Sequence, residues 1–171
     1  MMLTPNKYSR PQIKLDKVTK VKQIVKQLTI FAVVGLTYFG IEMTVRGRSD
    51  VSMIICAGII GVIVGLLNDI FSYDMLIQTQ LFIGTIVATV CEGITGLILV
   101  GIYGYNPVWD YSGLWGNFFW GQCNIWFSLI WVGLVFVAIL IADSIDYYLF
   151  DGERPYYKIS KDKIWFMLPK K

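Results

Sequence analysis

The sequence predicts an all-α integral membrane protein with four transmembrane helices and both termini cytoplasmic, and three observations carry that prediction. Of 171 residues, 56% are apolar and 16% charged, with a mean hydropathy of +0.59, where a soluble domain is about one-quarter charged. Four apolar stretches each approach the roughly 20 residues that cross a bilayer. The net charge of +3 conceals segregation: thirteen of the fifteen Lys and Arg flank one face of a four-span arrangement, and the positive-inside rule makes that face cytoplasmic.

Residues 1–27 carry seven of these cations against a single acid, Asp16. No small-residue cleavage site follows, so the segment reads as the lead-in to an uncleaved first helix rather than a removed signal. Val18, Val21, Ile24, Val25 and Leu28 recur at helical spacing among lysines, which predicts a basic amphipathic helix lying on the inner leaflet. The membrane domain, residues 28–150, follows. Its first span, 28–45, is interrupted only by Glu42, and its second, 51–67, begins after five residues that allow only a tight hairpin. The third, 81–103, is about 34 Å long as a helix and carries Glu92 near its middle. The last apolar stretch is too long for one crossing, so the fourth span is placed at 125–150. The preceding WDYSGLWGNFFWGQCN becomes an aromatic interfacial or re-entrant segment. Asp143, Asp146, Asp151 and Glu153 read as a solvated helix end. Residues 151–171 form a basic cytoplasmic tail, with Ile164 to Leu168 as a second inner-leaflet anchor.

Helices inside lipid approach through small residues. Ala57, Gly61 and Gly65 make one such row, and Gly84, Ala88 and Gly96 make another that includes Glu92. This row turns Glu92 toward the bundle interior, where an ionisable side chain costs at least about 2.5 kcal/mol. It is therefore either a polar anchor or the contact for a substrate, ion or headgroup, with Thr89, Asn117 or Gln122 as expected partners. Glu42 and Arg46 are spaced for an ion pair on one helix, and Arg46 or Arg48 could instead reach Asp110. The candidate binding set is Glu92, Glu42, Arg46, Asp110, Asn117 and Gln122. Histidine is absent, which excludes imidazole chemistry. Cys56, Cys91 and Cys123 have neither disulfide-framework nor zinc spacing, and no metal or cofactor is expected. The cations are accounted for by topology, so no nucleic-acid partner is expected either.

E-G-I-T-G-L at Glu92 to Leu97, V-W-D-Y-S at Val108 to Ser112, Asn117, G-Q-C at Gly121 to Cys123, Ser128, Trp131 and G-E-R-P-x-Y at Gly152 to Tyr157 form a connected set. Upstream, R-G-R-S from Arg46, Ser52-Met53, and G-L-L-N-D from Gly65 extend it. On these motifs the chain, from about residue 30 to 157, resembles the ABC-transporter type IV family, small four-helix bacterial membrane proteins. The resemblance implies a transporter or permease-like component of the cell membrane, centred on the intramembrane carboxylate. No G-x-x-x-x-G-K-[ST] phosphate loop occurs, so ATP hydrolysis would require a separate ATPase subunit. The lipid bilayer is the obligate partner, and the glycine rows suit a homo-oligomer. Two other readings are open: a non-catalytic membrane scaffold or lysis-type oligomer, and a lipid-headgroup enzyme using Glu92 and Asp110 as an acid-base pair.

Overall fold

The computed structural model describes residues 17–71 and 73–171, with side chains from residue 19 onward. The first sixteen residues of the basic lead-in, including Lys7, Arg10, Lys14 and Asp16, lie outside the described residues. The described chain is mostly helical: α1 (Lys17–Arg46), α2 (Val51–Phe71), α3 (Ile77–Tyr103) and α4 (Ile125–Leu149). Each is long and apolar enough to cross a membrane. Two short antiparallel hairpins depart from the all-α expectation: β1 (Asn117–Phe118) with β2 (Cys123–Asn124), and β3 (Tyr156–Ser160) with β4 (Lys163–Met167). Both lie in the connecting and terminal segments, where pairing satisfies backbone groups that no helix satisfies.

The helices end where capping chemistry ends them. Asp50 accepts from the backbone N–H of Ser52 at 2.8 Å at the start of α2. Gly104 (φ 78°) closes α3 in the left-handed conformation, its N–H bonding to Val100 O at 2.8 Å. Asn124 caps α4 by accepting from Trp126 N at 2.9 Å. α1 has no such stop near residue 28, so residues 17–27 run on as continuous helix into the first apolar stretch. Thirty residues make a helix about 45 Å long against a hydrocarbon core of about 30 Å, so α1 projects beyond the core.

α2 and α4 pack against each other and against both remaining helices. The centre is dry: Val64, Val135 and Ile139 are completely buried beside Ile60 and Ala138. The small-residue rows seat neighbours. A Cβ on Gly61 would fall 2.7 Å from Val34 Cβ, and one on Gly65 would fall 3.0 Å from Ala142 Cβ. At Gly84 it would collide with Val135, and Ala57 and Ala88 are buried in the same layers. Gly96 differs, because it faces Gln122 of the segment between α3 and α4 rather than a helix.

The tail is also ordered by contact. β3 runs beside the start of α3, where Leu76 bridges Lys158 and Gln78 donates to Ile159 O at 3.1 Å. Tyr156 and Lys158 both bond to Asp74. Trp165 of β4 packs on Phe136 of α4 with ring centroids 5.9 Å apart.

Candidate functional site

The four helices give the bundle two ends. At one end, the segment 104–124 folds over the helices as a lid. Asn106 organises it, accepting from the N–H groups of Val108 (2.9 Å) and Trp109 (3.2 Å) while donating to Gln122 Oε1 at 2.8 Å. Trp109 Nε1 donates to Gln122 O at 2.8 Å. The turn at its tip places Phe119 and Trp120 at φ 55° and 56° before Gly121 at 77°, a left-handed run unusual for bulky side chains. The lid sits on a glycine-lined seat: a Cβ on Gly93 would meet the Phe119 ring at 2.6 Å, and one on Gly96 would strike Gln122.

Glu92 lies beneath this lid, 4% exposed. One carboxylate oxygen accepts from Tyr111 Oη at 3.2 Å and the other from Trp131 Nε1 at 3.0 Å. Trp131 stacks on Tyr38 at 5.4 Å, 11° from parallel. Tyr38 in turn donates to Glu42 at 3.2 Å, and Glu42 also receives Arg46 (2.7 Å) and Ser49 (2.6 Å). Arg46 continues to Val108 O in the lid at 3.3 Å. Glu92 and Glu42 therefore belong to one aromatic-linked cluster joining α1, α3, α4 and the lid.

The structure brings Glu42 and Arg46 together as their spacing implies, and leaves other members of the candidate set outside. Thr89 instead has its carbonyl receiving Cys123 Sγ at 3.4 Å. Asn117 is exposed and bonds to Ser112 O and Leu114 O within the lid. Gln122 is buried but serves Asn106. Asp110 faces solvent, and its carboxyl is held below the usual carboxylate range, chiefly by the Ser112 backbone N–H and then by the Ser112 hydroxyl. It meets neither Glu92 nor the arginines, so the acid-base pair needed by a headgroup enzyme is not assembled. Tyr111 and Trp131 are the partners the sequence reading missed. Burial first, then the nearby Glu92 charge, pushes the Tyr111 hydroxyl well above its ordinary value, so it stays a donor. The same two causes push the Cys123 thiol up to about 12.

The opposite, basic end holds a second cluster, and it corrects the picture of a solvated helix end. Asp143 is 2% exposed. Its oxygens accept from Asn68 Nδ2 at 3.0 and 2.9 Å and from Tyr157 Oη at 2.8 Å. Lys26, also buried, bridges Asp69 at 2.8 Å and Asp146 at 3.0 Å. These acids are drawn inward because Lys26 points into the bundle, while Val21, Ile24, Val25 and Leu28 point away from it. Asp151 is a surface acid with ion-pair partners, Lys22 at 3.1 Å and Lys171 at 3.4 Å. Among the described residues, no three of His, Cys, Asp or Glu gather where they could hold a metal ion.

Chemically, the lid-end cluster is closed: both Glu92 oxygens are used by protein donors, and the residues around it are aromatic. An apolar crevice, lined by Val34, Tyr38, Ile60, Trp131 and Ala138 among others, approaches through Tyr38 and Trp131 without Glu92 lining it. In comparisons with known proteins, no family, no curated protein and no solved structure matches the chain. The four apolar helices define the class that stands, a small multi-pass membrane protein.

Proposed function

We propose that this chain is a non-catalytic scaffold subunit of a membrane assembly, with Glu92 as the clamp that holds the lid to the bundle. The observation that carries this reading is that both Glu92 carboxylate oxygens accept from protein donors, Tyr111 and Trp131, under a lid seated on Gly93 and Gly96. A carboxylate that binds cargo keeps an oxygen, or a path to one, for that cargo. The dry layer of Val64, Val135 and Ile139 between the two acid clusters is also unsuited to a conduit within one copy.

The termini lie on the cytoplasmic side of the cell membrane and the aromatic lid at the opposite interface. Support comes from the lysines gathered at the α1-start, α4-end face and from exposed Trp115 and Trp120 at the other. The resemblance to the ABC-transporter type IV family suggests a transport assembly, with a second copy or a separate ATPase subunit supplying what this bundle lacks. In a second reading the chain itself is permease-like, favoured by the crevice reaching Tyr38 and Trp131 beside Glu92. Proteoliposomes loaded with a pH-sensitive dye separate the two. The scaffold reading expects no proton flux above empty vesicles from wild type or Glu92→Gln, together with a lower Tm for Glu92→Gln. Wild-type flux abolished by Glu92→Gln at unchanged Tm would overturn it in favour of the permease.

A further inference from the structure

Where α1 turns into α2, at the lid end, a cavity of about 60 Å³ opens between the turn and the lid, lined by Arg46, Arg48, Ser49, Asp50 and Val108. Its walls are fixed by local geometry. Gly47 (φ 67°) ends α1, its N–H bonding to Met43 O at 3.1 Å, so Arg48 leaves the helical row that Arg46 completes. Arg46 is held by Glu42 and by Val108 O of the lid, at 2.7 and 3.3 Å, and its other guanidinium N–H groups remain for a ligand. Ser49 donates to Glu42 at 2.6 Å. Asp50 uses one carboxylate oxygen to cap α2 through Ser52 N at 2.8 Å, and its second oxygen has no donor among the described residues. Arg48 is exposed and makes no ion pair among the described residues, although Asp50 lines the same cavity.

With Arg46 matched by Glu42, the cavity keeps one guanidinium and one carboxylate that line the same space without pairing. Neither a simple anion nor a simple cation suits such a site, because each would sit beside a like charge. A zwitterion answers both. The setting names its class: Val45 and Val51, exposed on either side of the turn, begin the outer apolar surfaces of α1 and α2, and exposed Trp115 and Trp120 mark this end as an interface. We propose that this cavity binds the headgroup of one phosphatidylethanolamine. Its phosphate meets Arg48 and the remaining N–H groups of Arg46, a pairing that guanidinium geometry favours. Its ammonium donates to the second oxygen of Asp50, and its acyl chains begin beside Val45 and Val51. The trimethylammonium of phosphatidylcholine has no N–H to give Asp50, and phosphatidylglycerol brings no cation to it. The assignment rests on the lid end lying at a membrane interface and is independent of whether the chain is a scaffold or a permease.

Native mass spectrometry of the full-length protein, released from detergent micelles doped with equal amounts of dioleoyl-phosphatidylethanolamine, dioleoyl-phosphatidylcholine and dioleoyl-phosphatidylglycerol, tests this. Wild type is expected to retain one phosphatidylethanolamine per chain in preference to the other two. Arg48→Ala, at an exposed position, lowers that retention about five-fold. Asp50→Asn, whose amide oxygen keeps the cap on α2, shifts the preference to phosphatidylglycerol, because Arg48 then stands uncompensated in the cavity. Circular dichroism establishes that both variants are folded. Soluble phosphoethanolamine, offered to the lipid-free protein in millimolar excess, is expected not to be retained. Equal retention of the three lipids by wild type would overturn the proposal, as would a preference for phosphatidylethanolamine that survives either substitution. Retention of phosphoethanolamine to the same extent as the lipid would also overturn it, making the ligand a water-soluble phosphate ester.

Discussion

Glu92 shows at the scale of one side chain how a costly group is made tolerable in a bundle. Its burial is offset by donors from two directions, a phenol from the lid and an indole from α4, so removing the acceptor leaves both donors buried and unpaired. Glu92→Ala is therefore expected to lower stability by about 3 kcal/mol or more, and Glu92→Gln, which keeps one oxygen, by less, read as Tm in detergent. Lys26 poses the converse case. Its ammonium is shared by Asp69 and Asp146 inside the protein, and breaking a buried ion pair from one side costs about 3–5 kcal/mol. Lys26→Met should cost at least about 3 kcal/mol by the same measurement, while Lys22→Met, at an exposed pair, should leave Tm nearly unchanged.

Asp151 adds a pH dependence. Lys22, then Lys171, holds its carboxyl below the ordinary range. A depressed folded-state value means the pairs contribute fully above the unfolded value, near pH 4, and the contribution is lost as pH falls through the folded value. Carboxyl carbon NMR should show Asp151 titrating nearer the ordinary range in Lys22→Ala than in wild type.

At the scale of elements, the lid depends on the face α3 offers it. Gly93 and Gly96 leave the hollow that Phe119 and Gln122 fill, so Gly96→Leu should lift the lid while leaving the helices formed. Cys123 reports this directly. Buried on the face of the lid that meets α3, with its thiol pushed up to about 12, it should resist N-ethylmaleimide at pH 8 in wild type and react in Gly96→Leu, with mass spectrometry of the labelled peptide as the readout. Part of this element was legible. The small row on α3 announced close approach. That the visitor at Gly96 would be a loop glutamine could not be read, because a glycine row marks closeness without naming the neighbour. Likewise α1 carried a stripe of Val21, Ile24, Val25 and Leu28 that reads naturally as a surface helix. Lys26, lying between apolar positions, gave no sign that it would turn inward.

Over the whole molecule, two polar clusters close the opposite ends of a dry bundle. The lid-end cluster ties α1, α3, α4 and the lid, and the basic-end cluster ties α1, α2, α4 and the tail hairpin. Such bonding makes each end a cooperative unit. Tyr157→Phe, which removes the hairpin's bond to Asp143, should raise hydrogen exchange in residues 156–167 while leaving the lid segment 104–124 unchanged. Increased exchange in both would show that the two ends are coupled through the apolar centre.

The sequence by itself determined the class and the count of spans, because crossing a membrane is a matter of length, apolarity and the placement of charge, all local properties of the chain. It also marked Glu92 and the Glu42–Arg46 pair, since an acid among apolar residues stands out wherever it folds and four-residue spacing is fixed by the helix. Tertiary structure alone decided who meets whom: Tyr111 and Trp131 at Glu92, Asn68 and Tyr157 at Asp143, and Asp110 left in solvent. These partners lie 19 and 39 residues from Glu92 and 75 and 14 from Asp143. Hydrogen bonds across such separations depend on helix rotation and loop path, which no local pattern encodes.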